Sequence, residues 1–398
     1  MRRWGRVLLA VLWLVCSTGP SRAEVKLPPD IMVYATEGVN GVYSLDFAAA
    51  QQSIQRVFDE VPDHPFAHLG NAMIAWSRYE YEFETSDDKQ RKVFEKILDH
   101  SVKGAERFKK KNPNDPNAYM GIGALYGLRA LFAMRNRNWV TAYFSGRKAI
   151  KNLEVALELD PTYYDAYFGL GIYQYFAGTL PSVVKVLAKI VAIQGDPDQG
   201  VAQLHLAREK ATFTGDSAKL ILIEVQNTRG SKFYDPQKSL EFIRELRAKF
   251  PNNPLMRYVE VICLYETGQY DEVTAQANEF LRLIGTDPFY KEIYISRAYT
   301  ALGTAQMAQG NFDKARILFE NGRIAVNNQE PSRWGVWNEL RLGQVYDLLG
   351  ERKKAIAQYK YVLSFKDKWG FDEQAKALLK NPYAVPAGGV GPLPPKAD

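Results

Sequence analysis

His64 and His68 stand four residues apart, a spacing that sets two imidazoles on one face of a helix, as a zinc pair needs. No nearby cysteine or third histidine completes a ligand set, and His64 precedes Pro65 at a helix start, so both are assigned to capping and packing. His100 and His205 stand singly. Cys263 lies in the apolar run YVEVICLYE and reads as a small core residue, because a reactive thiol needs an electropositive surrounding that this run lacks. GIGALYG, Gly121 to Gly127, has the glycines of a phosphate loop but no strand before it. GDPDQG, from Gly195 to Gly200, opens like a calcium loop, yet Ala207 occupies the place of the bidentate glutamate. The basic run from Arg107 to Lys111 closes a helix before Pro113, where cations complement the negative end of the helix dipole. No nucleophile, base and orienting group occur at an interpretable spacing. The expectation is a protein that is not an enzyme and takes no metal and no cofactor.

The glycines of those segments belong to a longer pattern. An aromatic, then Leu or Ile three residues on, Gly at four and a large residue at seven recurs as FAHLGNAM (Phe66, Gly70), YMGIGALY (Tyr119, Gly123), YFGLGIYQ (Tyr167, Gly171) and YTALGTAQ (Tyr299, Gly303). ELRLGQVY (Glu339, Gly343) follows the same spacing with glutamate in the aromatic's place. Residues three, four and seven apart share one helical face, and a glycine there lets a second helix approach closely. Matching second helices carry a small residue and then a large one: Ala149, Leu153 and Ala156; Ala315 and Phe319; Ala355 and Tyr359. Gly268, Gly310 and Gly350 supply the turns between paired helices, and Pro113, Pro161 and Pro251 mark helix starts.

This arithmetic resembles the tetratricopeptide-repeat family over residues 45–381, which implies an all-α, right-handed superhelical solenoid of about six or seven helix hairpins. The glycine steps, Gly70 to Gly123 and Gly123 to Gly171, exceed the usual period of about 34 residues, so some helices are extended. Residues 24–44 form a lead-in, 182–193 an inserted helix, and the Pro/Gly-rich 382–398 a disordered tail. A second resemblance, over residues 167–207, rests on the aromatic Leu170-Gly171 helix, Leu180-Pro181, an apolar segment, Gly195-Asp196, Gly200 and the Leu204 to Ala207 helix. It is to the tetratricopeptide-repeat-39 family, which includes the inclusion-body-clearance protein and whose members are not enzymes.

In repeats of this type the first helices line the concave side. With the register set on Gly171, the resemblance brings Phe168, Ile172, Tyr175 and Phe176 towards a partner-binding groove; set on Val261, it brings Tyr258, Ile262 and Tyr265. Aromatic rings give large contact area at low entropy cost, as an extended peptide or a partner helix needs. A chaperone-tail clamp is excluded, since Asn71 stands alone with Ala67 where the lysine belongs.

Arg2, Arg3 and Arg6 precede the apolar run from Val7 to Val15, and Ser21-Arg22-Ala23 offers a cleavage site, so residues 1–23 read as a signal peptide and the mature chain as periplasmic. Lipid anchoring at Cys16 is not expected, because Val15 stands where a small residue is needed. The signal holds four arginines and no acid, so the mature chain has 47 basic and 45 acidic residues and a net charge of +2, which gives no footprint for nucleic acid. The expected function is that of an exported scaffold docking a protein or peptide partner in the solenoid groove. The alternative is a membrane-surface or lipid-linked adaptor using the apolar 182–193 segment and the basic 107–111 run, with a peripheral membrane contact.

Overall fold

The computed structural model describes residues 27–83, 87–136, 138–179, 195–324, 332–365 and 370–393. The segments expected to be a signal peptide, 1–23, and an inserted helix, 182–193, lie outside them. Among the described residues there are seventeen α-helices and no strand. The first eight are α1 (Pro29–Tyr43), α2 (Phe47–Glu60), α3 (Pro65–Phe83), α4 (Asp88–Lys111), α5 (Pro116–Arg135), α6 (Trp139–Leu159), α7 (Asp165–Gly178) and α8 (Pro197–Lys210). Then follow α9 (Gly215–Gln226), α10 (Pro236–Lys249), α11 (Pro254–Glu266), α12 (Tyr270–Leu283), α13 (Ile295–Ala308), α14 (Phe312–Ile324), α15 (Arg333–Leu348), α16 (Arg352–Ser364) and α17 (Phe371–Lys380). A 3₁₀ turn, Glu292–Tyr294, leads into α13.

Consecutive helices pair as eight hairpins from α1–α2 to α15–α16, with α17 packed on the last, and most first helices also contact the next first helix. The chain is an all-α superhelical repeat fold. The lead-in expected at 24–44 is thus part of the array from residue 29 onwards: α1 is the first helix of the first hairpin. The long spacing near the N-terminus comes from long helices, 19 to 24 residues each from α3 to α6.

The glycine rule has a direct steric basis. A Cβ on Gly123 would stand 2.7 Å from Leu153, one on Gly303 2.6 Å from Phe319, and one on Gly343 2.4 Å from Tyr359. Each large side chain of a second helix fills the space that its glycine leaves, and Leu153, Phe319 and Tyr359 are all buried. Burying such a side chain is worth about 2 kcal/mol or more, so the local pattern drives hairpin formation. Gly268, Gly310 and Gly350 have φ near +75° to +79°, which an L side chain rarely adopts, and they form the hairpin turns. The proline expectation needs correction: Pro113, Pro161 and Pro251 lie in the preceding loops, and the N-terminal prolines are Pro116 and Pro254. At the first position of a helix the absent N–H has no intrahelical partner to lose.

The third glycine motif makes a tighter hairpin than the rest. A Cβ on Gly200 of α8 would lie 2.5 Å from the Tyr175 backbone nitrogen and 2.8 Å from the Gly171 carbonyl oxygen, so α7 and α8 meet backbone to backbone. Gly195 approaches Gly178 in the same way. At the other end of α7, the buried Asp165 carboxylate accepts the N–H groups of Thr212, Phe213 and Thr214 at 2.8 to 3.0 Å, and the Thr214 hydroxyl at 3.0 Å. That one side chain fixes the turn from α8 into α9.

The array closes on itself. Asn253 Nδ2 donates to the Tyr43 carbonyl at 2.8 Å, and the Tyr43 ring stacks on Phe250 with centroids 4.9 Å apart. The Tyr81 hydroxyl donates to the Phe289 carbonyl at 2.8 Å, and the Tyr294 hydroxyl returns a hydrogen bond to the Tyr81 carbonyl. Residues some 210 positions apart in sequence are therefore in contact.

The histidines pack as expected. His64 Nδ1 accepts the Phe66 N–H at 3.2 Å, and the ring lies edge-on to Phe66 and Phe108. Burial holds the His64 imidazole at about 4, well below its usual 6.5, with the adjacent His68 adding in the same direction. Unfolding restores the usual value, so as pH falls from 6.5 towards 4 the unfolded chain takes up a proton that the folded chain refuses. Stability present above pH 6.5 is lost across that window, by about 3 kcal/mol. Urea midpoints at pH 7 and pH 4 check this; a His64→Gln variant should show a shallower fall.

Candidate docking groove

The C-terminal segment, expected as a disordered tail, is extended and seated on the first helices of the later repeats as far as Leu393. It leaves α17 held at its base by Asp347, whose carboxylate accepts the Tyr383 N–H at 2.8 Å, the Tyr359 hydroxyl at 2.8 Å and the Arg352 guanidinium at 2.9 Å. After the turn closed by the Gly389 N–H on the Pro386 carbonyl, four successive carbonyls point at side-chain donors. Val390 O accepts from Arg229 Nη1 at 3.1 Å. The Tyr265 hydroxyl lies 3.0 Å from both Val390 O and Gly391 O, its one hydrogen shared between them. Arg341 Nη2 donates to Pro392 O at 2.8 Å and to Gly391 O at 3.3 Å, and Trp337 Nε1 to Leu393 O at 3.0 Å. The Val390 and Leu393 side chains are buried. A Pro/Gly-rich strand has no hydrogen-bonded structure of its own, but its bare carbonyls suit donors supplied by a helical surface.

The donors come from three places: the turn after α9, the end of α11 and the middle of α15. On α15, Trp337, Arg341 and Gln344 fall at i, i+4 and i+7 and form one stripe. Arg341 is the largest fully buried side chain among the described residues, lies 4.6 Å over the Trp337 ring and donates to Gln344 Oε1 at 3.0 Å. No carboxylate pairs with it among the described residues. Burial draws its pKa below the ordinary arginine value. Burial also pushes the Tyr265 phenol up to about 12, so it is a neutral donor throughout the physiological range.

The seven residues expected to line the groove divide. Tyr265 is among the tail's donors. Tyr258, one end of the same stripe, is sealed between repeats: its hydroxyl donates to the Arg297 carbonyl at 2.9 Å, and its ring meets Trp334 at 4.9 Å and Phe280 at 5.9 Å. Tyr175 is buried against Phe233 and Phe176, with its pKa raised by that burial. Phe168, Ile172 and Ile262 are half-buried and pack on the same core, and Phe176 is half-buried at its margin. Trp337, Arg341 and Arg229 were not foreseen. The signal was present in ELRLGQVY, because the register that selects Ile172 beside Gly171 selects Gln344 beside Gly343, and Arg341 and Trp337 continue that stripe.

Between the tail and the helices an open slot of about 520 Å³ remains, lined by Tyr234, Tyr270, Met307, Ala308 and Phe312 opposite Gly388. Elsewhere the reactive groups are quiet. The Cys263 thiol is fully buried, pushed up to about 12 by that burial and held by Asn227 Nδ2 at 3.4 Å. Among the described residues no group of three or more His, Cys, Asp or Glu could hold a metal ion, and no helix is long and apolar enough to cross a membrane. In the basic run, Arg107 pairs with Asp63 at 2.7 Å and Lys109 with Glu106 at 3.1 Å.

No protein-family model matches the chain, and none of the curated proteins compared with it does. Solved structures do. A tetratricopeptide repeat protein from Parabacteroides merdae is 12% identical over 79% of this chain and 98% of its own, with a TM-score of 0.32. Human IFIT1, solved as a dimer with PPP-AAAA, is 13% identical over 90% and 86%, with a TM-score of 0.46. Yeast Tom70 is 13% identical over 89% of each chain, with a TM-score of 0.36. These likenesses say nothing of what this chain binds, and its architecture stands on its own helix packing.

Proposed function

We propose that this protein is an exported, non-enzymatic interaction scaffold that docks an extended segment of a partner protein on the face formed by α11, α13 and α15. The observation that supports it is the row of four consecutive backbone carbonyls, 390 to 393, each accepting from a side chain of that face. Donors aimed at main-chain carbonyls, with apolar seats for side chains between them, are how extended peptides are generally held. The resemblance of residues 167–207 to the tetratricopeptide-repeat-39 family fits a protein without catalysis.

A photo-crosslinking residue at Gln344, in cells of the source organism, tests the docking. Adducts whose partner peptide maps to one extended segment support the reading, and adducts unaltered by Tyr265→Phe and Arg341→Met sink the groove assignment. Export is tested separately: the mature protein should be recovered from the periplasm with Glu24 as its first residue, and recovery from the cytoplasm with residues 1–23 attached refutes it.

One observation favours the membrane-surface reading. Trp139, Val140 and Phe144 at the start of α6 are 64%, 69% and 60% exposed, beside exposed Leu131 and Met134 of α5. An aromatic and aliphatic hairpin tip of that kind can enter a lipid interface. Flotation with anionic vesicles should then be lost in Trp139→Ser/Phe144→Ser, and a wild-type chain that stays at the bottom of the gradient removes this reading.

A further inference from the structure

Among the described residues every hydrogen bond to residues 390–393 runs from a scaffold side chain to tail backbone, and the Val390 and Leu393 side chains are buried, so the contact reads main chain together with two apolar side chains. The fit is incomplete on one flank. A Cβ on Gly388 would meet nothing within 4 Å, and the slot of about 520 Å³ lies beside it. The slot is open to solvent, so the strand leaves the Ala308 and Phe312 side of its seat uncovered. The hold is also electrostatically imperfect. Arg341 is wholly buried against neutral groups, the 391 and 392 carbonyls, Gln344, Tyr383 and the Trp337 ring, and a buried cation without an anion keeps part of its desolvation cost.

We propose that Val385–Leu393 is an internal occupant of the groove, and that the partner is an extended peptide with the same Val-Gly-Pro-Leu backbone and an apolar side chain where this chain has Gly388. The tail holds the groove closed until that peptide displaces it. This rests on the docking reading above. Only six residues separate Tyr383, fixed on Asp347, from Val390, so the tether is short. A short tether gives an effective concentration of about 1 mM, enough to keep a weak segment docked while leaving it replaceable. Displacement also releases Arg341 to solvent or to a better acceptor, which lowers the cost of exchange.

The probe is a fluorescein-labelled peptide of residues 385–398, measured by anisotropy against the full chain and against the full chain carrying Val390→Asp/Leu393→Asp, which unseats the tail. The unseated chain should bind at least about ten-fold tighter than the wild type, and Tyr265→Phe or Arg341→Met in that background should abolish the gain. A probe with leucine at position 388 should bind about ten-fold tighter still, from burial in the slot. Equal affinity for both chains overturns the gate, and no binding to the unseated chain overturns recognition of the tail backbone. Either failure with partner adducts still forming at Gln344 leaves the docking reading intact; probe binding without such adducts sinks that reading alone. Should the unseated chain not fold, hydrogen exchange on the wild type decides. The Trp337 indole N–H, which donates to Leu393 O, should exchange far faster than the amides of α13, and equal protection would make the segment a fixed strap and overturn the proposal.

Discussion

Gly200→Val should lower the stability of the chain by about 3 kcal/mol or more, read as a fall in urea midpoint with an unchanged slope. The added Cβ would meet backbone on two sides, the Tyr175 nitrogen at 2.5 Å and the Gly171 carbonyl at 2.8 Å, where no rotamer change gives relief. The valine methyls extend the overlap, and the only response is to part α7 from α8, which uncovers Leu204 and Tyr175. Gly127→Ala is the contrast. That glycine lies inside α5 with nothing within 4 Å of its missing Cβ, so alanine should raise stability by about 0.5 to 1 kcal/mol through helix propensity and a less free unfolded chain. A Gly200→Val chain as stable as wild type would show that the hairpin has room that the backbone geometry denies.

Asp165→Ala should cost about 2 to 4 kcal/mol, because it removes the acceptor of several part-buried donors at once rather than one. The N–H groups of Thr212, Phe213 and Thr214 have the carboxylate as their acceptor, and it is 2% exposed, so water does not easily take its place. Asp165→Asn keeps one acceptor oxygen but turns an NH₂ towards an N–H, and its loss should fall between wild type and alanine. The effect should be local at first: amide protection should fall at 212–226 before it falls in α13 to α16, since the lost contact is what orients α9. Uniform loss of protection would instead mean that the turn has no part of its own in holding the hairpins together.

How much of this was legible in the sequence follows from how local each feature is. The glycine at position four and the large residue on the following helix lie within one hairpin, so Gly123 with Leu153 and Gly343 with Tyr359 could be paired by spacing alone. The tail could not. Its prolines and glycines report only that 382–398 has no structure of its own, while its acceptors are met by Arg229, Tyr265, Trp337 and Arg341, from 50 to 161 residues away by position. Tyr258 was misplaced for a related reason. A helical stripe sets which residues share a face, but Tyr258 and Tyr265 lie two turns apart and meet different neighbours, Trp334 at one end and the tail at the other. By sequence Arg341, a charge among repeat positions, reads as a departure from pattern, when in the fold it is the donor for which the position is used.

The contact of Tyr43 and Tyr81 with Asn253, Phe289 and Tyr294 changes how the array yields to force and heat. An open solenoid behaves as a spring whose repeats melt from the ends, each answering only to its neighbours. Clipped across some 210 residues, this one is a clasped ring. Its first hairpins cannot fray without breaking the clasp, and stretching it along its axis meets an abrupt yield before any helix uncoils.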